Sequence, residues 1–201
     1  LVGMKKINKV IIGTNNIGKY KEIYNLLPKK IKKYSPKELN ISSPAETGKS
    51  FEENSKLKAL YYSKKSNLVC ISDDSGLEIP LLNGAPGINS ARWGRPNNDF
   101  NLAIDKVFNK LSKIKRNWKA NIRAKFVCCL TICWPSGKNL FSIGIVEGKI
   151  SKKKRGYNGF GYDPIFIPDG YNKTFGEMNP KAKILIDHRF QAFLKIKKYF
   201  D

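Results

Sequence analysis

Leu68-Val69-Cys70-Ile71-Ser72-Asp73-Asp74-Ser75-Gly76-Leu77 is the stretch from which the rest of the chain becomes readable. Its first four residues are apolar, which predicts a short buried strand. Polar residues and a glycine follow, so the strand is expected to stop near Ser72 and to deliver Asp73 and Asp74 to its carboxyl end. In open α/β sheets ligands bind at the carboxyl ends of strands. The chain has 38 basic and 16 acidic residues, and a local acidic pair in such a background needs a reason. Holding a divalent metal and activating a water is one. An Asx-type turn closed by Gly76 is the alternative, and the other segments decide between them.

At 201 residues and 41% hydrophobic content the chain can bury one well-packed core, so one globular domain over 1–201 is expected. Met4 is a candidate native start, with residues 1–3 then an addition ahead of it. No apolar run reaches the roughly 18–20 residues of a bilayer span, and Leu1 to Lys6 lacks an apolar signal core. A cytoplasmic protein with no membrane partner is expected. The cysteines, at 70, 128, 129 and 133, lie in apolar surroundings without a Cys-x-x-Cys pair and read as buried thiols. With His188 the single histidine, any metal must rest on oxygen ligands, which points to magnesium or manganese. The net charge of +22 invites a nucleic-acid reading, but 32 Lys against 6 Arg is the wrong balance for base-edge recognition. Solvated lysines on ordinary surfaces are the expectation, with no specific nucleic-acid partner.

Val10-Ile11-Ile12-Gly13 reads as a first buried strand and Thr14 to Gly18 as a polar loop. Lys19 to Leu27 then reads as a helix stopped by Pro28. A strand, loop and helix in that order aim backbone N–H groups and Lys19 at a point where a phosphate can sit. Lys32 to Ile41 is expected as a return strand or loop. Ser50 to Glu53 has the spacing of a capping box and opens a second helix running to about Ser66. Residues 84–93 form a glycine- and proline-rich loop, and Asn98 to Lys113 an amphipathic helix. Ala124 to Trp134 and Leu140 to Glu147 are expected as a hairpin turning at Pro135 to Lys138. Lys149 to Arg155 is a basic run, and Ala192 to Phe200 a closing helix.

Four segments now stand in order: Gly13-Thr14-Asn15-Asn16-Ile17-Gly18-Lys19; Ser72 to Leu77 with Gly84 to Arg92; Gly159-Phe160-Gly161-Tyr162-Asp163-Pro164; and Asp187-His188-Arg189. Together they resemble the inosine triphosphate pyrophosphatase family, from about Asn8 to the C-terminus. The resemblance implies a two-lobed α/β domain with an elongated mixed sheet flanked by helices and an active site in the cleft between the lobes. It implies hydrolysis of non-standard purine nucleoside triphosphates (ITP, dITP, XTP) to monophosphate and pyrophosphate, by metal-assisted water attack at the α-phosphate. A homodimer is implied as well.

By the same resemblance Asp74 is the proton acceptor and a metal ligand, Asp73 is a second catalytic residue beside it in the same acidic site, and Glu46 completes an oxygen set for Mg2+, with Mn2+ a substitute. Thr14, Asn16, Lys19, Lys58 and Ser75 hold phosphates. Phe160, Gly161, Tyr162 and Asp163 carry the base, and Lys183, His188 and Arg189 supply donors. A 6-keto purine offers acceptors where adenine offers an amino group, so such donors favour hypoxanthine and xanthine. Three departures from the family pattern are visible: Asp187 where serine is usual, Asn15 where glycine is common, and Ala45 where a second carboxylate often precedes Glu46. A nucleic-acid-binding protein offers no reason for Asp73, Asp74 and Glu46. A related enzyme acting on modified pyrimidines or nucleotide sugars differs by substrate alone.

Overall fold

The computed structural model describes residues 7–114 and 121–201, so the candidate start at Met4 lies outside the described residues. In chain order the elements are β1 (Lys9–Ile12), α1 (Ile17–Leu26), β2 (Lys32–Tyr34), α2 (Phe51–Ser66), β3 (Val69–Glu78) and α3 (Phe100–Ile114). Then come β4 (Arg123–Cys133), β5 (Asn139–Ile150), β6 (Phe166–Pro168), α4 (Pro180–Lys183) and α5 (His188–Ile196). The strands form a six-stranded sheet in the order β2-β1-β3-β4-β5-β6. β1 runs parallel to β2 and β3, and β5 antiparallel to β6. The sheet is therefore mixed and the class α/β, as expected.

The chain divides into two compact units, one of residues up to Asp74 with Cys128–Gly144 and Arg189–Asp201, the other of Ser75–Val127 and Ile145–His188. In the first, successive strand residues point to opposite faces and so sort into two cores. Val10, Ile12, Ile71, Cys128 and Leu130 pack with Ile23 of α1 and Ala192 and Phe193 of α5. Ile11, Cys70 and Cys133 pack on Ala59 and Tyr62 of α2. Thus α1 and α5 cover one face and α2 the other. Each buried Ile or Phe contributes on the order of 1.5–3 kcal/mol to this layering. The second unit has its own core, with Leu77, Ile79, Val107, Leu111, Phe126, Phe166 and Phe175 among its members.

Local signals placed several elements well. Ser50 caps α2 by accepting from the Glu53 N–H at 3.1 Å, but Glu53 accepts from Lys49 N rather than Ser50 N, so the box closes one residue early. α1 starts at Ile17, ahead of the expected Lys19, because the Asn16 side chain caps it by accepting from Lys19 N at 3.0 Å. α5 starts at His188, four residues ahead of Ala192; buried Asp187 stands just before it, where a helix N-terminus favours a carboxylate. α4 was not expected, although Asn179 followed by Pro180 is a helix-start signal. The hairpin turn holds through Trp134 N–H to Lys138 O at 2.9 Å.

The largest correction concerns β3. It runs ten residues from Val69 to Glu78 with no stop at Ser72, so the acidic pair lies inside a strand and not in a turn at its end. Strand polarity misled the reading: Ser72, Asp73 and Asp74 are all buried, and each is satisfied at least in part by groups from elsewhere in the chain. The Ser72 hydroxyl, for example, donates to Gly13 O at 3.0 Å. Gly13 itself is forced, since a Cβ there would meet Cys70 Sγ at 2.7 Å and the Tyr62 ring at 2.8 Å. All four cysteines are free and buried. Among the described residues no helix is long and apolar enough to cross a membrane.

Candidate active site

Two side-chain groups carry the residues singled out above, one in each unit. The first begins where β1 ends. Gly13 N bonds Ile71 O at 2.8 Å, which ties the loop to β3. The hydroxyl of buried Thr14 accepts from Asn16 N at 3.1 Å. Asn15 is not among the residues at positive φ, so the loop never needed glycine there; its side chain donates to Ser43 Oγ at 2.6 Å instead. The outcome is a short, pinned loop with Lys19 in the first turn of α1.

Asp73 and Asp74 point to opposite faces of β3, so they do not form the single acidic pocket that was expected. Asp73 faces α1 and α5, where its oxygens meet Lys19 Nζ at 3.1 Å and Arg189 Nε at 2.9 Å. Arg189 also pairs with Glu22 of α1. Asp74 faces α2, where its Oδ1 meets Lys58 Nζ at 3.2 Å, and Lys58 also pairs with Glu46. Ser75, the next residue of β3, is half-buried.

Their electrostatics diverge accordingly. Burial pushes the Asp73 carboxyl up, but the charges of Lys19, Arg189 and Lys58 override it and hold the group well below the usual carboxylate range. For Asp74 burial wins: its carboxyl is raised above the ordinary value, with Lys58 and Lys19 pulling against Glu46 and Asp73. Glu46 is lowered because Lys58 outweighs its burial. The Lys58 ammonium, despite burial, is held firmly protonated by Asp74 and Glu46. One atom remains: Asp74 Oδ2 is buried and has no hydrogen-bond partner among the described residues. A buried lone carboxylate oxygen costs on the order of 1–3 kcal/mol and calls for an occupant.

A hard divalent cation fits that atom. Among the described residues no group of three or more His, Cys, Asp or Glu converges to hold a metal unaided. Magnesium, however, is commonly held by one or two carboxylates with substrate phosphates completing the shell. Glu46 and Asp74, which share Lys58, are the two carboxylates here that could take that part.

The second group centres on Asp163, 2% exposed, whose Oδ2 accepts from Phe160 N at 2.9 Å and from Lys183 Nζ at 2.8 Å. Lys183 Nζ also lies 5.3 Å from the centre of the half-buried Phe160 ring. Gly159 makes this possible: its φ is +75°, and a Cβ there would sit 2.0 Å from Asp163 Oδ2. Gly161 also has a left-handed φ, +66°. Tyr162 goes elsewhere, into the core, where its hydroxyl donates to Ser90 O at 2.8 Å and burial pushes its phenol far up. His188 is 4% exposed and stacks on Phe126, centroids 4.7 Å apart and planes 8° apart. Phe160, Asp163 and Lys183 are thus brought together, whereas Tyr162, His188 and Arg189 are engaged with other groups. Glu22 was missed, although Lys19 and Glu22 three apart on one helix was a usable signal.

A family model described as the Ham1 family matches residues 10–199. The chain belongs to the Ham1 family. Among relatives of this Ham1-family chain, a dITP/XTP pyrophosphatase of Caulobacter vibrioides is 41% identical over 189 residues, covering 94% of this chain and 96% of that protein. Another from Agrobacterium fabrum is 41% identical, covering 96% of each. Of solved structures, a HAM1 protein from Coxiella burnetii superposes with a TM-score of 0.84 at 33% identity, covering 94% of this chain and 96% of that one. The Staphylococcus aureus Ham1 protein gives 0.81 at 35% identity, covering 95% and 97%. The kinship and the α/β fold read from the four segments are borne out.

Proposed function

We propose that this chain hydrolyses non-standard purine nucleoside triphosphates, those of inosine, deoxyinosine and xanthosine, to the monophosphate and pyrophosphate. The observation that carries the reading is Asp74: a buried carboxylate raised above its ordinary value, one oxygen on Lys58 and the other without a partner. Its setting is a chain 41% identical to a dITP/XTP pyrophosphatase along almost its whole length. Asp74 accepts the proton of the water that attacks the α-phosphorus, since a raised carboxyl is the better base of the pair. Glu46 and Asp74 would hold a divalent metal, magnesium with manganese as substitute. When bound, that ion offsets the crowded phosphate charge and acidifies the water.

Thr14, Asn16 and Ser75 offer hydroxyl and amide groups to the phosphates, and Lys19 and Lys58 supply positive charge to the leaving pyrophosphate. Asp73 is a positioning residue in this reading, fixing Lys19. Arg189, expected as a base donor, has Nε and Nη1 committed to Asp73 and Glu22 and acts through them. The Phe160 face stacks the purine, Asp163 holds Lys183, and the Lys183 ammonium donates to a 6-keto oxygen that adenine lacks. The whole chain acts as one catalytic domain in the cytoplasmic nucleotide pool. A homodimer is supported by Phe141, Ile143 and Ile145, which alternate along β5 at 45%, 37% and 45% exposure.

The test is product analysis with inosine, xanthosine, adenosine and guanosine triphosphates, in magnesium and then in chelator. Monophosphate plus pyrophosphate, fastest for inosine and xanthosine and lost with chelator, is the expected result. Turnover of none of the four overturns the reading.

A further inference from the structure

The basic run Lys149–Arg155 takes no part in the reaction above, yet it lines a cavity of about 710 Å³ where β5 meets β6, with Lys149 opposite Ile167 across the two strands. Some of its charge is already matched. Lys154 pairs with Asp105 at 2.9 Å, and Arg155 donates to Asn172 O at 2.7 Å and meets Glu177 at 3.0 Å. Asp169, beside Lys149, is taken by both terminal nitrogens of Arg123, at 2.7 and 2.8 Å. Lys152 and Lys153 are different: both line the cavity, both are exposed, and neither has an ion-pair or hydrogen-bond partner among the described residues.

Two further polar side chains, Ser151 and Arg155, line the same cavity. Ser151 is 3% exposed. Arg155 Nε is buried and has no hydrogen-bond partner among the described residues. Buried polar atoms are nearly always satisfied, so this unsatisfied donor, on a residue that lines a basic concavity, calls for an acceptor from outside the chain. Among the described residues no carboxylate and no aromatic ring lines the space.

We propose that this cavity is a second anion site, distinct from the Asp74 centre, that takes the diphosphate group of a small molecule. Lysines supply point charges suited to phosphate, and Ser151 and Arg155 supply the hydrogen bonds that fix it. The volume lies within the roughly 300–1,000 Å³ of small-molecule pockets. Single-stranded nucleic acid would be expected to stack its bases on aromatic side chains, and the described lining residues offer none. The diphosphate can arrive as free pyrophosphate or at the end of a nucleotide.

The experiment follows backbone amide chemical shifts of the full chain, with chelator present, as inorganic pyrophosphate and, separately, adenosine diphosphate are added. Saturable shifts at Ser151, Lys152 and Lys153 are expected. Binding should weaken by about tenfold, or 1.4 kcal/mol, in the double variant Lys152→Glu, Lys153→Glu, whose turnover stays unchanged, and it should weaken also in Ser151→Ala. Response to pyrophosphate alone, to the nucleotide alone or to both tells which source the site accepts, and each supports it. Shifts confined to Thr14–Lys19 and Lys58, non-saturating shifts, or affinity unchanged in both variants would overturn the proposal. So would an oligonucleotide that shifts these amides when neither small anion does.

Discussion

Asp73 and Asp74 are the same residue type, adjacent in one strand and nearly equally buried, at 0% and 5% exposure, yet they sit in opposite electrostatic worlds. The face covered by α1 and α5 gives Asp73 a close cation at each of its two oxygens. The face covered by α2 gives Asp74 one lysine that it shares with Glu46, and leaves an oxygen over. The pleat of the strand thereby separates a carboxylate that fixes cations from one that is left reactive. When environments push two carboxyls apart in this way, the acid and base roles divide with them.

The largest expected effect is on the reactive face. Asp74→Asn should lower kcat by about 10²–10⁴-fold while the thermal midpoint changes little, because Lys58 keeps Glu46. Retained turnover, measured as pyrophosphate release, would break the comparison at its main point. On the other face Asp73→Asn should act first on stability. It leaves Arg189 and Lys19 short of a buried counter-charge, a loss of about 3–5 kcal/mol in this class of change. Denaturant unfolding checks that figure, and a loss of activity without loss of stability would mean that Asp73 is a reacting group after all.

The smallest effect, and the sharpest for the comparison, is in pH dependence with chelator present. The folded carboxyl of Asp73 is depressed, so its stabilisation is complete above the unfolded value near 3.8 and is lost as pH falls below it. The Asp74 carboxyl is raised, so the sign reverses: between its unfolded and folded values the folded state binds more protons, and stability declines as pH rises through that window. Unfolding free energies between pH 4 and pH 2 should therefore fall less in Asp73→Asn than in the wild type, whereas those between pH 7 and pH 4 should fall at least as much in Asp74→Asn as in the wild type. Identical slopes in the two variants would remove the distinction.

Legibility followed range. Ser50 capping α2, the stop of α1 before Pro28 and the amphipathic α3 were readable because each depends on residues within a few positions. The extent of β3 was not. Its polar middle looks like a turn until Arg189, more than a hundred residues away, and Lys19 and Lys58, on two different helices, arrive to match it. The same holds for the second group: the Gly159 to Pro164 motif announced a site, but only packing shows that Asp163 holds Lys183 while Tyr162 enters the core.

By itself the sequence determined the family, the α/β class and the roster of chemically active side chains, because residue types in a fixed order survive without coordinates. Only the tertiary structure decided how those side chains are partnered. Alternation along a strand sends neighbours to opposite faces, and which helix covers each face is settled by the burial of Val10 and Ile12 against Ile23 on one side and of Ile11 against Tyr62 on the other. That burial, remote from any motif, is what leaves Asp74 with an oxygen to spare.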